Sequence, residues 1–569
     1  MKIIEKFADE VIESGAYQEL DRVYIINKIK ALVGDEDQEC DEKQTSVHQL
    51  VQMAVDRKII PDDNTSREVL NDELYDLKTP TPSKVNEIFW QKMQKSANRA
   101  TDWFYKLCVD NNYVKKEAIA KNIVFSGRSS KNHELEITIN LSKPEKDPKA
   151  IAAAAHNTGN KYPQCALCLE NEGYVGGYGK NARSNLRVIR MTIGGRTWGF
   201  QYSPYAYFNE HCIFLDQKHI PMIINQQTLI NLIDIEKQLP EYFVGSNADL
   251  PIVGGSMLAH EHYQGGRHVF PMMKAKIKKE VIFDKYPDVK AGIVDWPMSD
   301  LRLISKNSLA LISLGSKIID FWDRYSDQDR QITAFDGKAR HHTVTPIMHR
   351  DGEKFVLDLV LRDNNTSDKY PLGIFHPHSE LWHIKKENIG LIEVMGRAIL
   401  PGRLKKELEE VKKYFNNAGI LRMDVDTTRD KHSYERIYNT FKNGEADILI
   451  GTQMVSKGLD FKNVTLVGIL AADMSINIPD YRAAERTFQI ITQVAGRAGR
   501  GDKQGEVLIQ TYTPQHYSLQ YAVNYDYEGF YEKEFTVRAM MKYPPFGKLL
   551  LINGTSKKED LLKNFMHNF

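Results

Sequence analysis

The sequence predicts an α+β protein with a mostly helical N-terminal region, followed by a partial α/β lobe. Three observations carry this. Apolar residues recur at three- and four-residue spacing near the start of the chain. Strand-like alternation mixed with helical text fills the middle, without a regular βαβ rhythm. Short continuous apolar runs bounded by Gly and Asp appear only after about Lys413. The chain has 569 residues, enough for several domains. They read as a helical region over 1–132, a catalytic domain over 133–413 and a partial lobe over 414–569.

The elements follow in order. Residues 2–12 and 89–121 carry helical periodicity, with Trp90, Trp103 and Phe104 as large anchors. Pro80-Thr81-Pro82 marks a turn between them. Residues 135–141, Leu-Glu-Ile-Thr-Ile-Asn-Leu, alternate like a half-buried strand. Further strands are predicted at 187–193, 212–215 and 355–361, with a helix over 226–241. In the last third, apolar runs at 447–450, 464–470 and 506–510 suit buried strands of one parallel sheet. Helical patterns at 432–443 and 483–495 alternate with them.

Composition excludes several classes. With 76 Lys and Arg against 75 Asp and Glu, the net charge of +1 argues against a basic nucleic-acid mantle over the whole chain. No apolar run approaches the ~18 residues of a membrane span. Glu5, Asp9 and Glu10 fall where a signal peptide needs an apolar stretch. Five cysteines, an odd number, argue against a disulfide framework. The expectation is a cytoplasmic, multidomain protein with no membrane partner.

The first constellation begins at Cys165-Ala-Leu-Cys168, which alone reads equally as a zinc half-site, a redox pair or chance. A tetrahedral zinc site needs two more ligands, and His211, His219, His260, His262 and His268 follow. The informative cluster is Gly254-Gly255-Ser-Met-Leu-Ala-His260-Glu-His262-Tyr-Gln264-Gly-Gly266. Histidines at i and i+2 of a strand share a face, and glycines let a ligand approach the backbone. Two core histidines would look the same. The CxxC upstream, the flanking Gly pairs and a second H-x-H at His376-Pro-His378 favour a site.

These stretches, with Tyr207-Phe-Asn-Glu-His-Cys-Ile213 and Phe375-His-Pro-His-Ser-Glu-Leu-Trp-His383, resemble the galactose-1-phosphate uridylyltransferases, in particular the bacterial second class. The resemblance runs colinearly from Met1 to about Lys413. It implies a histidine-triad-like transferase in galactose metabolism, with His262 as nucleophile and Gln264 at the last triad position. The partners it implies are UDP-glucose, UDP-galactose, glucose 1-phosphate and galactose 1-phosphate, with room for a homodimer. Imidazole can both attack phosphorus and leave it near neutral pH. Gln264 can donate an amide N–H to a phosphoryl oxygen, as can the Gly254 and Gly255 backbone. Structural zinc maps to Cys165, Cys168, His219 and His260, with His211 a rival that spacing does not exclude. A second metal, iron or zinc, maps to His341, His376 and His378, although His342 beside His341 departs from the pattern. Arg183 and Asn185 are candidates for nucleotide phosphate and ribose, Arg by bidentate pairing.

The second constellation is Gln493-Val-Ala-Gly-Arg497-Ala-Gly-Arg500, preceded by Gly451-Thr-Gln453 and Gly458-Leu-Asp460. It resembles the second, RecA-like motor lobe of the primosomal replication-restart helicase. The resemblance implies that Arg497 and Arg500 reach toward an ATP γ-phosphate, that Gln453 lies near a nucleic-acid backbone, and that Gly458 and Asp460 couple the two. The sequence has no GxxxxGK[ST]; Lys180, after Gly176-Gly-Tyr-Gly, is followed by Asn. No DExH strand motif is present either. The chain therefore reads as a fusion or chimera: a transferase joined near 402–418 to a helicase-lobe remnant that neither hydrolyses ATP nor unwinds DNA, and binds DNA weakly if at all. The alternative reading is a nucleic-acid-associated fragment of a replication-restart helicase.

Overall fold

The computed structural model describes residues 1–129, 133–142, 162–255, 257–337, 339–378, 389–401, 419–423, 431–451, 461, 463–470, 472–476, 480–496, 498 and 505–549. The chain divides into two compact units, Met1–Glu409 and Glu410–Phe569. The predicted junction near 402–418 lies outside the described residues.

The first unit begins with helices. Ile3–Glu13 buries Ile3, Phe7 and Val11, a stripe at four-residue spacing. These pack with Ile25, Ile29, Leu50, Leu70 and Leu74 into a helical core separate from the main one. The periodicity over 89–121 is not one helix. Pro82–Met93 and Ala97–Asp110 are separated where the Ser96 side chain accepts from the Arg99 N–H, a cap that starts a new helix.

The strands follow in chain order. β1 (Ile123–Arg128) pairs antiparallel with β2 (Glu134–Asn140), which also pairs in parallel with the late strand Arg397–Pro401. The central sheet has ten strands. They are β3 (Ile189–Ile193), β4 (Arg196–Tyr202), β5 (Cys212–Asp216), β6 (Phe243–Gly245), β7 (His262–Gly266), β8 (Ile277–Val281), β9 (Lys290–Val294), β10 (Asp300–Ser305) and two long strands, His342–Asp351 and Lys354–Asp363. Between β10 and these two lies a small hairpin, β11 (Phe335–Asp336) and β12 (Ala339–Arg340), so the long strands are β13 and β14. The sheet order is β3-β4-β5-β7-β6-β13-β14-β10-β9-β8. Helix Gln226–Gln238, capped by Asn225, and helix Ser308–Trp322, capped by Asn307, contribute Leu229, Leu232, Leu311 and Leu314 to the core over this sheet. β7 is flanked by β5 and β6, with Leu215 opposite His262 and Gly245 opposite Gln264. Among the described residues no helix is long and apolar enough to cross a membrane.

In the second unit, Ile420–Met423 pairs in parallel with Ile448–Gly451, and Leu466–Ile469 pairs in parallel with Glu506–Ile509. The expected single parallel sheet is therefore two separate pairs among the described residues. Helix Ala483–Ala495 matches its predicted span and buries Phe488 and Ile491 against Leu519, Ala522 and Phe530. Phe488 and Phe530 stack at 4.2 Å.

Candidate active site

β7 alternates, and its two faces differ in chemistry. Glu261 and Tyr263 serve the structural side. Tyr263 donates to Glu261 at 2.8 Å, accepts from Asn231 and stacks on Trp198. Arg196 pairs with Glu261 at 3.0 Å and with buried Asp216 at 2.7 Å. These contacts pin the strand and its entry, leaving His260, His262 and Gln264 on the other parity.

His260 is 1% exposed. Its Nε2–H donates to the Asp216 carbonyl at 2.8 Å, which leaves the Nδ1 lone pair pointing at Cys165 Sγ, 3.2 Å away, and Cys168 Sγ, 3.7 Å away. His219 Nδ1 lies 3.2 Å from Cys168 Sγ, and the two sulfurs are 3.4 Å apart. Cys165, Cys168, His219 and His260 thus converge, each with a ligand atom within 4.8 Å of the others. A tetrahedral zinc with bonds of about 2.0–2.3 Å has ligand edges of about 3.3–3.8 Å, so this donor set fits such an ion. Burial and the neighbouring Cys165 push the Cys168 thiol up to about 12, a cost that a bound cation would reverse. His211, the rival ligand, stands elsewhere: its Nε2 is 3.0 Å from Gln264 Oε1.

His262 is 5% exposed, and burial pushes it down to about 4. Its Nδ1–H donates to the His260 carbonyl at 2.8 Å. The neutral ring therefore carries its lone pair on Nε2, which no protein group holds among the described residues. That is the protonation state and tautomer a nucleophilic imidazole needs. Neither the His260 nor the His262 carbonyl contact was legible in the sequence, because a backbone oxygen leaves no residue-type signal.

Other predicted residues are placed as follows. A Cβ on Gly254 would meet the Ala248 and Leu250 carbonyl oxygens at 2.5 Å, and one on Gly255 would meet Asn247 at 2.6 Å. Gly254 is required by the loop folding on itself, whereas at Gly255 the neighbour is a side chain that can move. Asn185 is fully buried and exchanges hydrogen bonds with the Asn111 backbone and side chain, while its Oδ1 has no hydrogen-bond partner among the described residues. Arg183 bonds the Ala182 carbonyl and lies over the Tyr113 ring, away from β7 in its contacts. His341, His376 and His378 form no three-ligand group among the described residues. His341 Nδ1 is 2.8 Å from Asn364 Oδ1, while His378 Nε2 is 3.1 Å from the Ile374 carbonyl and its ring stacks on Tyr370. One nitrogen of His341 meets Asn364, while its Nε2 and that of His376 are buried without a hydrogen-bond partner among the described residues. Gln493 is exposed near the end of its helix; Gln453, Gly458, Asp460, Arg497 and Arg500 lie outside the described residues.

The site thus joins a Cys₂His₂ group that could hold a metal ion to a buried histidine whose Nε2 has no protein partner among the described residues. Residues 15–221 match the description "Galactose-1-phosphate uridyl transferase, N-terminal domain", and residues 235–435 match its C-terminal domain. A galactose-1-phosphate uridylyltransferase of Lactobacillus helveticus is 81% identical over 415 residues, 73% of this chain and 85% of that protein. One of Pediococcus pentosaceus is 58% identical over 418 residues, 73% of this chain and 86% of that protein. The chain belongs to the galactose-1-phosphate uridylyltransferase family and is an enzyme. Residues 384–502 match "Helicase conserved C-terminal domain". A solved yeast Ap4A phosphorylase, Apa2 with Ap4A, covers 57% of this chain and 92% of that one at 11% identity, with a TM-score of 0.30, too slight a likeness to bear on the fold.

Proposed function

We propose that the chain transfers a uridylyl group between UDP-glucose and galactose 1-phosphate through a covalent intermediate on His262. The observation that carries this is the Nδ1–H bond from His262 to the His260 carbonyl, which leaves Nε2 as the free lone pair. In the first half-reaction Nε2 attacks the α-phosphorus of UDP-glucose. The bond from that phosphorus to the bridging oxygen breaks, and glucose 1-phosphate leaves with the electron pair. In the second, a phosphate oxygen of galactose 1-phosphate attacks the same phosphorus, UDP-galactose forms, and Nε2 recovers its lone pair. A ring that titrates near 4 is neutral at pH 7 and is a good leaving group from phosphorus. Gln264, on the same parity of β7, supplies an amide N–H to a phosphoryl oxygen without adding charge.

Cys165, Cys168, His219 and His260 would hold the zinc, which would supply rigidity to the entry of β7. The histidine-triad class of the fold and the RecA-like class of the second unit belong to this reading. The second unit brings no phosphate loop of its own, so ATP hydrolysis is not expected. A second reading, nucleic-acid contact by residues 420–569, is favoured only by the helicase description at 384–502. It predicts salt-dependent retention of single-stranded DNA in filter binding, and no retention at low salt removes it.

The test of the main reading is steady-state kinetics with both substrates. Double-reciprocal lines should be parallel, and His262→Ala should lower kcat by at least about 10³-fold, as expected for a lost nucleophile. A His262→Ala variant with wild-type turnover would sink the proposal.

A further inference from the structure

Gln264 is useful only in one of its two amide orientations. Turned one way it offers N–H₂ to a phosphoryl oxygen; turned the other way it offers a carbonyl oxygen, which repels it. Nothing about β7 itself selects between them.

His211 selects. It sits one residue before β5, on the parity of Ile213, the residue that pairs with Gln264 across the β5–β7 ladder. Its backbone is pinned at both ends: its N–H donates to the Phe208 carbonyl at 3.3 Å, and its carbonyl accepts from the Ser203 N–H at 2.8 Å. The ring is 4% exposed and lies against Phe208, 4.5 Å between centroids, and Tyr207, 5.6 Å between centroids. Burial pushes its pKa down to about 4, aided by the charge of Arg397, so it is neutral near pH 7. One nitrogen, Nδ1, is buried with no hydrogen-bond partner. A buried orphan donor is rarer than a buried orphan acceptor, so the proton belongs on Nε2. Nε2–H then donates to Gln264 Oε1 at 3.0 Å. With Oε1 held, the amide N–H₂ of Gln264 has no protein partner among the described residues.

We propose that His211 is a positioning residue: by holding Gln264 Oε1 it presents the Gln264 N–H₂ to the phosphoryl group in transit. This rests on the role given to Gln264 above. It also explains why a histidine that looked like a metal ligand is spent on an amide instead. The contact acts on the transition state, in which charge builds on the phosphoryl oxygens, more than on the bound ground state.

The experiment compares kcat and KM of the full chain in four variants, with UDP-glucose and galactose 1-phosphate as substrates. His211→Phe keeps a planar ring among Tyr207 and Phe208 but removes the donor. It should lower kcat about 10–100-fold, the range for lost orienting partners, with KM for UDP-glucose changed less than about threefold. His211→Gln restores an N–H and should recover most of the loss. In the Gln264→Ala background, His211→Phe should cost nothing further. Wild-type kcat in His211→Phe, with Gln264→Ala impaired, overturns the positioning role alone. Wild-type kcat in Gln264→Ala overturns the role of Gln264 and the proposal with it. If His211→Phe merely disturbs folding, its loss will persist in full in the Gln264→Ala background, and that outcome also overturns the proposal.

Discussion

Two histidine-rich regions of the first unit carry the same sequence pattern and come to different ends. His260-Glu-His262 and His376-Pro-His378 are both H-x-H, the first preceded by Gly254 and Gly255 and the second by Gly373. In the first, each ring gives its N–H to a backbone carbonyl: His260 to Asp216 and His262 to His260. The lone pairs left over point into a converging cluster or stand free. In the second, His378 meets the Ile374 carbonyl and stacks on Tyr370 at 3.7 Å, His376 Nδ1 lies 3.3 Å from the Pro377 carbonyl, and no third ligand joins them among the described residues. Carbonyl contacts are common to both regions; what differs among the described residues is that Cys165, Cys168 and His219 converge on His260, while no such group gathers at His376 and His378.

Metal content sharpens this contrast most. Purified chain should carry one zinc, and Cys168→Ala should lower that below a tenth of an equivalent and sharply lower the melting temperature. His341→Ala and His376→Ala should leave the content at one. Elemental analysis with a thermal melt checks both. Two equivalents in the wild type, falling to one in His376→Ala, would erase the difference between the regions.

A smaller effect concerns pH. His211 titrates near 4 in the folded chain because it is buried, against ~6.5 in an unfolded one. On acidification the unfolded chain takes up the proton first. The contribution of His211 to stability is therefore complete above about pH 6.5 and declines as pH falls toward 4, by up to ~3 kcal/mol. Urea unfolding across this window should show the decline, and His211→Phe should make it shallower, leaving the part due to His262. An equal slope in both proteins would contradict the burial argument.

The smallest effect belongs to the second region. His378→Ala loses a ring stack on Tyr370 and should cost about 0.5–1 kcal/mol, with metal content unchanged. A loss several times larger in urea unfolding would mean that His378 has a heavier structural role.

Much of this was legible in the sequence where one element suffices. Of the i,i+2 histidines, His262 opens β7 while His260 lies in the bend two residues before it, and the helix Ala483–Ala495 has its predicted ends because its apolar stripe is bounded by Arg482 and Gly496. The break at Ser96 was missed because periodicity continues through it on both sides, although the residue type is a standard cap. The choice between His211 and His219 was not legible, since it depends on the turn after β5, which carries His219 to Cys168 and leaves His211 facing Gln264. The Asn185 pairing was not legible for a related reason: its partner, Asn111, is 74 residues away. Long-range pairing leaves no local mark.

The central claim is that His262 Nε2 becomes covalently uridylylated. The most direct measurement is intact-protein mass spectrometry after incubation with UDP-glucose alone, followed by peptide mapping. The account predicts a gain of one uridylyl group, acid-labile and base-stable, on the peptide that carries His262. It also predicts loss of that gain on adding galactose 1-phosphate and its absence from His262→Ala. A chain that turns over UDP-glucose and galactose 1-phosphate with no such adduct, or with the adduct on another residue, would contradict it.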